Sequence, residues 1–214
     1  MTGDDPHGNE PILIAGVALS QARSALILLR GRGGSAEDIL SLSEELGNES
    51  TAYLAPQAAQ HTWYPNSFLA SIAMNEPWLS SAIAKVGACI AKITSAGIGV
   101  QRIGIVGFSQ GACLASEFVA RHPARYAALV AFTGGLIGPM GSELHHAGNL
   151  DRMPILLSSG DPDPHVPWER VQATQEVFVE MGASVKADRY QGRPHTILRE
   201  EIESARRLIE DGLS

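Results

Sequence analysis

Cysteine, basic runs and long apolar stretches are all scarce in this sequence, and each scarcity closes a functional class. Only Cys89 and Cys113 occur in 214 residues. They make no C-x-x-C or zinc-type spacing, so no disulfide framework is expected and packed, reduced thiols are. Lys and Arg number 16 against 23 Asp and Glu, a net charge of −7. With no Lys/Arg-rich run, a nucleic-acid surface is excluded. No apolar run approaches the roughly 18 residues of a membrane span. The first ten residues are polar and carry Asp4, Asp5 and Glu10, which is not the pattern of a signal peptide. These features point to a cytoplasmic protein. The phosphate-loop pattern G-x-x-x-x-G-K-[S/T] is absent as well.

What is present is a hydrophobic fraction of 44%, ample for a large core. Residues 1–10 read as a loose arm, and residues 11–214 as a single domain. Apolar runs at Ile12–Gly16, Ser24–Leu29, Ala52–Ala55, Arg102–Val106, Ala128–Phe132, Ile155–Ser158 and Val185–Tyr190 read as strands. Between them lie stretches with helical spacing. Ser35 and Asp38 resemble a capping box, and Ile39, Leu42 and Leu46 then share one helix face up to Gly47. Leu79, Ile83, Val86, Ile90 and Ile93 mark a second helix, Val171 to Met181 a third and Leu198 to Ile209 a last one. Strands alternating with helices predict an α/β fold with a mainly parallel sheet flanked by helices. Functional loops in such sheets lie at the carboxyl ends of strands. Loops 30–35, 107–111, 160–167 and 191–196 fall there.

The central motif is Gly107-Phe108-Ser109-Gln110-Gly111, a G-x-S-x-G between a strand and a helix. That is the context in which a nucleophilic serine is held on a strained turn with its hydroxyl exposed. Serine needs a base held by a third group. Among seven histidines, His195 in Gln191-Gly192-Arg193-Pro194-His195 follows the last strand and is the candidate base. The orienting acid is expected between nucleophile and base, in Gly160-Asp161-Pro162-Asp163-Pro164-His165-Val166-Pro167. Asp163, deeper in that loop, is preferred over Asp161, which is well placed to brace the turn. The transition-state oxyanion is assigned to the N–H of Gln110, at a helix start, and the N–H of Arg32.

Two rival readings of these stretches are weaker. Gly31-x-Gly33-x-x-Ala36 fits a dinucleotide fingerprint, but the next strand ends Leu54-Ala55-Pro56-Gln57 without the acid that fingerprint expects. No cofactor is therefore expected. His145-His146 are adjacent and rarely aim at one ion, so no metal is expected either. The aromatic stretch containing Trp63, Tyr64 and Phe68 reads equally as core or as pocket wall. With Leu136 and Val166 these residues are candidate substrate contacts.

These motifs together resemble the phospholipase/carboxylesterase family of α/β-hydrolases, which includes acyl-protein thioesterases and bacterial carboxylesterases. The resemblance runs from about Ile12 to the C-terminus. It rests on Gly31-Arg32-Gly33-Gly34-Ser35-Ala36-Glu37-Asp38, Ala55-Pro56-Gln57, Gly107-Phe108-Ser109-Gln110-Gly111-Ala112, Asp161-x-Asp163-Pro164-x-Val166-Pro167 and Gly192-x-x-His195. It implies an α/β-hydrolase fold with little or no lid, a small-molecule ester substrate, and catalytic roles for Ser109, Asp163 and His195, with Arg32 and Gln110 as oxyanion donors. A homodimer is compatible with it. The family's usual His-Gly before the donor loop is here Arg30-Gly31. That departure predicts either a tolerated supporting change or a cation beside the site that favours carboxylate-bearing substrates. Lactone or carbon–carbon bond hydrolysis, and a non-catalytic ligand-binding relative, are the alternatives to ester hydrolysis.

Overall fold

The computed structural model describes residues 5–214. Seven strands form one sheet: β1 (Ile12–Gly16), β2 (Ser24–Leu29), β3 (Thr51–Pro56), β4 (Ile103–Phe108), β5 (Ala128–Phe132), β6 (Pro154–Asp161) and β7 (Ser184–Gln191). Their spatial order is β1-β3-β2-β4-β5-β6-β7. β1 pairs antiparallel with β3, and all the other pairs are parallel. The helices are α1 (Ala36–Leu40), α2 (Ser43–Leu46), α3 (Ile72–Asn75), α4 (Trp78–Ser95), α5 (Gln110–Arg121), α6 (Trp168–Glu180) and α7 (Arg199–Leu213).

The strand pleat explains the two-sided core. Side chains alternate between faces along a strand. Ala25, Ile27 and Leu29 of β2 accordingly face the side covered by α4 and α5, in the same buried cluster as residues of α6. Leu26 and Leu28 face the other way, in a second buried cluster with Ala36, Ile39, Leu46, Ala205 and Ile209 of α1, α2 and α7. β2 is buried along its whole length, which is why it reads as an unbroken apolar run. β7 alternates half-buried and exposed residues and has β6 as its single strand neighbour. The charged residues Lys186, Asp188 and Arg189 are on it.

Two expectations change. The helix predicted from Ser35 to Gly47 is two short helices, α1 and α2. Ser35 does make the capping box with Asp38. The break follows from Ser41, whose hydroxyl donates back to the Asp38 carbonyl at 2.7 Å. The arm assigned to residues 1–10 is also revised. Residues 1–4 lie outside the described residues, but His7 is fully buried. Its Nε2 bonds the Trp63 carbonyl at 3.0 Å, its Nδ1 accepts from the Ala59 N–H at 3.1 Å, and its own N–H donates to Ser81 Oγ. Its ring packs edge-on against Trp63 and Trp78. A polar segment with one buried histidine gives no periodic signal, so the docking was invisible in the sequence.

Because β2, β4, β6 and β7 run parallel, their carboxyl ends share one edge of the sheet. The four loops singled out above therefore converge there.

Candidate active site

Ser109 lies between β4 and α5 with φ 54° and ψ −118°. That conformation is rare for a residue with a Cβ and is held here by its surroundings. The flanking glycines show how. A Cβ on Gly107 would lie 2.3 Å from the Gly111 carbonyl oxygen, and one on Gly111 would lie 2.1 Å from the Leu29 carbonyl oxygen. Helix α5 thus crosses β2 and β4 at a distance only glycine permits. The turn lifts the Ser109 side chain out of the sheet edge.

His195 Nε2 lies 2.8 Å from Ser109 Oγ, and His195 Nδ1 lies 2.8 Å from Asp163 Oδ2. The structure therefore links Ser109, His195 and Asp163 in one hydrogen-bonded chain. Asp163 Oδ1 accepts the N–H groups of His165 and Val166 at 2.9 and 3.0 Å. Burial alone would raise the Asp163 pKa; the two amides and the imidazole outweigh it and hold the carboxyl below its usual value. Asp161 faces elsewhere and pairs with Arg189, consistent with its reading as the turn brace.

The His195 loop rests on a buried network that sequence reading missed. The guanidinium of Arg193, itself buried, donates to Thr133 Oγ1 at 2.6 Å and to the Pro194 and Thr196 carbonyls. Its Nε lies 3.3 Å from Glu201 Oε2. Glu201 in turn accepts from Ser158 Oγ and from the Leu198 N–H. Loop, sheet and α7 are tied through one ion pair, two residues from His195. The only sequence hint was a charged residue beside the candidate base.

The loop after β2 lies against the nucleophile turn: a Cβ on Gly31 would be 3.3 Å from Ser109 Cβ. Neither the Arg32 nor the Gln110 N–H donates to an acceptor among the described residues. The strap of residues 58–66 covers this loop and is clamped through its backbone. Gln110 Oε1 accepts from the Trp63 N–H at 2.9 Å, and Gln110 Nε2 donates to the Tyr64 carbonyl at 2.8 Å. The Arg32 guanidinium donates to the carbonyls of Tyr64, Pro65 and Asn66 at 2.7–2.9 Å.

Arg30 favours the first of its two readings, a supporting change, over the second, a cation beside the site. It is buried and donates to the carbonyls of Gly31, His61 and Ala58, with its guanidinium 5.5 Å from the Trp63 ring centroid. It braces the strap from beneath and is absent from the cavity over Ser109. Arg30 therefore places no cation beside Ser109.

That cavity measures about 580 Å³. Tyr64, Phe68 and Val166 line it, as do Arg32 and Gln110. Trp63 and Leu136 do not, which corrects two candidate substrate contacts. The Trp63 indole points into the core and donates to the Arg30 carbonyl at 3.0 Å. Leu136 is buried in the cluster beneath, its N–H bonded to Thr174 Oγ1. An aromatic or leucine in a loop does not reveal from sequence which way it faces. Asn66, Phe108, Cys113 and His165 line the cavity and were not anticipated. Burial pushes the Cys113 thiol up to about 12, so it is an inert wall. Among the described residues no cluster of His, Cys, Asp or Glu is placed to hold a metal ion.

With this geometry in view, known proteins are informative. A phospholipase/carboxylesterase structure from Dyadobacter fermentans superposes with a TM-score of 0.91 and 42% identity, covering 94% of this chain and 97% of that one. The sheet and its flanking helices are those of the α/β-hydrolase fold. The probable carboxylesterase SOBER1-like of Arabidopsis thaliana is 28% identical over 203 residues, 86% of this chain and 77% of its own. Acyl-protein thioesterase 1 of Neurospora crassa is 31% identical over 127 residues, 58% of this chain and 50% of that protein. The family model for phospholipase/carboxylesterase matches residues 17–212, and the chain belongs to that family.

Proposed function

We propose that this protein is a serine carboxylesterase acting on small to medium esters through an acyl-enzyme on Ser109. The observation that carries the reading is the chain Ser109 Oγ···Nε2 His195 Nδ1···Oδ2 Asp163, with both distances 2.8 Å. His195 takes the Ser109 proton as Oγ attacks the ester carbonyl, and Asp163 holds the imidazole tautomer and stabilises the imidazolium. The tetrahedral oxyanion is received by the N–H groups of Arg32 and Gln110, the latter at the positive end of α5. One such donor is worth on the order of 10²–10³ in rate. The C–O bond to the alcohol breaks, and His195 returns the proton to the departing alkoxide. Water, deprotonated by His195, then attacks the acyl-enzyme, releases the acid and regenerates Ser109. Cytoplasmic residence belongs to the same proposal and rests on cysteine usage, since Cys89 and Cys113 are both free and buried.

The test is hydrolysis of p-nitrophenyl acetate by the wild type and by Ser109→Ala. The variant is expected to fold and to lose activity by about 10³-fold or more. A fluorophosphonate probe should label the wild type at Ser109, located by peptide mass spectrometry. Retained turnover in Ser109→Ala, or labelling elsewhere, refutes the assignment.

A further inference from the structure

The cavity over Ser109 inverts the charge of the molecule around it. The chain carries 23 Asp and Glu and a net charge of −7, yet among the described residues no Asp or Glu lines this cavity. Among the described residues its one fixed charge is the guanidinium of Arg32, with His165 and Asn66 also on the lining. No carboxylate lies within ion-pair distance of Arg32 among the described residues, whereas Arg121, Arg189 and Arg193 each have one. The three carbonyls that bind Arg32 contribute dipoles, not net charge. They fix its plane without neutralising it. Both Nη2 hydrogens and one on Nη1 are used by these carbonyls. That leaves the Nε–H and one Nη1–H of an exposed side chain without a protein acceptor.

We propose that the preferred substrates are esters carrying an anionic group, such as half-esters of short dicarboxylic acids, and that Arg32 is the specificity-determining residue. The inference rests on the serine-esterase reading above. A guanidinium already held in place loses little freedom when it meets a carboxylate, and it offers charge-assisted hydrogen bonds. The residue serves twice. Its main-chain N–H faces the reacting carbonyl, while its side chain reaches the strap that walls the cavity and there meets the distal anion. The reaction is ordinary hydrolysis: half-ester and water give the dicarboxylate and the alcohol, with one proton released.

The experiment compares kcat/KM for the mono-p-nitrophenyl ester of glutaric acid with that for p-nitrophenyl butyrate. The wild type is expected to favour the half-ester by about tenfold. Arg32→Gln is expected to lower that ratio about tenfold and Arg32→Lys to lower it less. Taking the ratio divides out any general effect on the strap or on catalysis. In 1 M salt, where screening acts over about 3 Å, the wild-type preference is expected to shrink. An unchanged ratio in Arg32→Gln, or a wild-type preference for the neutral ester, overturns the proposal. If that variant fails to fold, inhibition of the wild type decides. Glutarate inhibiting more strongly than butyrate supports the proposal, and equal inhibition overturns it. Failure to hydrolyse either ester, with no fluorophosphonate label on Ser109, instead overturns the esterase reading and this inference with it.

Discussion

At Gly111 the space for a single methyl group governs how closely α5 meets the strands. A Cβ there would sit 2.1 Å from one backbone oxygen and 2.5 Å from another, those of Leu29 and Arg30. Neither can rotate away as a side-chain tip would. Gly111→Ala must therefore push α5 off β2, at a cost of about 1–3 kcal/mol or more. For a protein of this size that is a melting-temperature drop of roughly 2–4 °C per kcal/mol. Because α5 carries the Gln110 N–H, kcat is expected to fall as well; thermal melts and an ester assay on the same preparation check both. A melting point equal to the wild type's would show that the crossing has slack. Arg193 and Glu201 work differently at the same scale. Their ion pair is buried, and removing one partner leaves the other charged and unsolvated.

Among the elements, the strap of residues 58–66 matters most, since it has no ladder of its own and is held by side chains from elsewhere. Arg30, Arg32, Gln110 and His7 all bond its backbone. Arg30→His removes donors from the His61 and Ala58 carbonyls and is expected to lower stability by about 1–3 kcal/mol. The half-ester preference is expected to stay as in the wild type, because Arg30 does not reach the cavity. Melting curves and the two-ester ratio measure these separately, and a changed ratio would bring Arg30 back as a substrate contact. The strap also shows where reading the sequence stopped. Ser109, Asp163 and His195 were legible because each follows a strand and is flanked by glycine or proline, so chain order alone placed them on one edge. The strap's aromatics carried no such punctuation. Trp63 and Tyr64 are neighbours, yet the Trp63 indole enters the core while Tyr64 lines the cavity. That choice is made by Arg30 and Gln110, residues about thirty and nearly fifty positions away.

For the whole molecule, the docked N-terminal segment makes stability depend on pH. Burial lowers the His7 pKa from 6.5, partly opposed by the Trp63 carbonyl and by nearby Asp5 and Glu10 and reinforced by Lys85. With Nδ1 accepting the Ala59 N–H, the folded protein holds His7 neutral. The unfolded chain therefore binds the extra proton between 6.5 and the lower folded value, and stability falls as the pH drops through that window. Denaturant unfolding at pH 7.5 and 5.5 is expected to show a larger loss in the wild type than in His7→Gln. Equal losses would mean that the group does not titrate with unfolding. The strand order has a different consequence, for how copies of the molecule meet. At one of the two borders, continuing the sheet from one copy into another would require β7 to offer its open side as a flat, greasy template. That strand instead presents Lys186, Asp188 and Arg189 amid alternating exposure. Placing a like strand alongside would force these charges together in register or strip them of water, so the β7 border resists edge-to-edge pairing, and the opposite border, β1 with its exposed Ile14, is the side open to it.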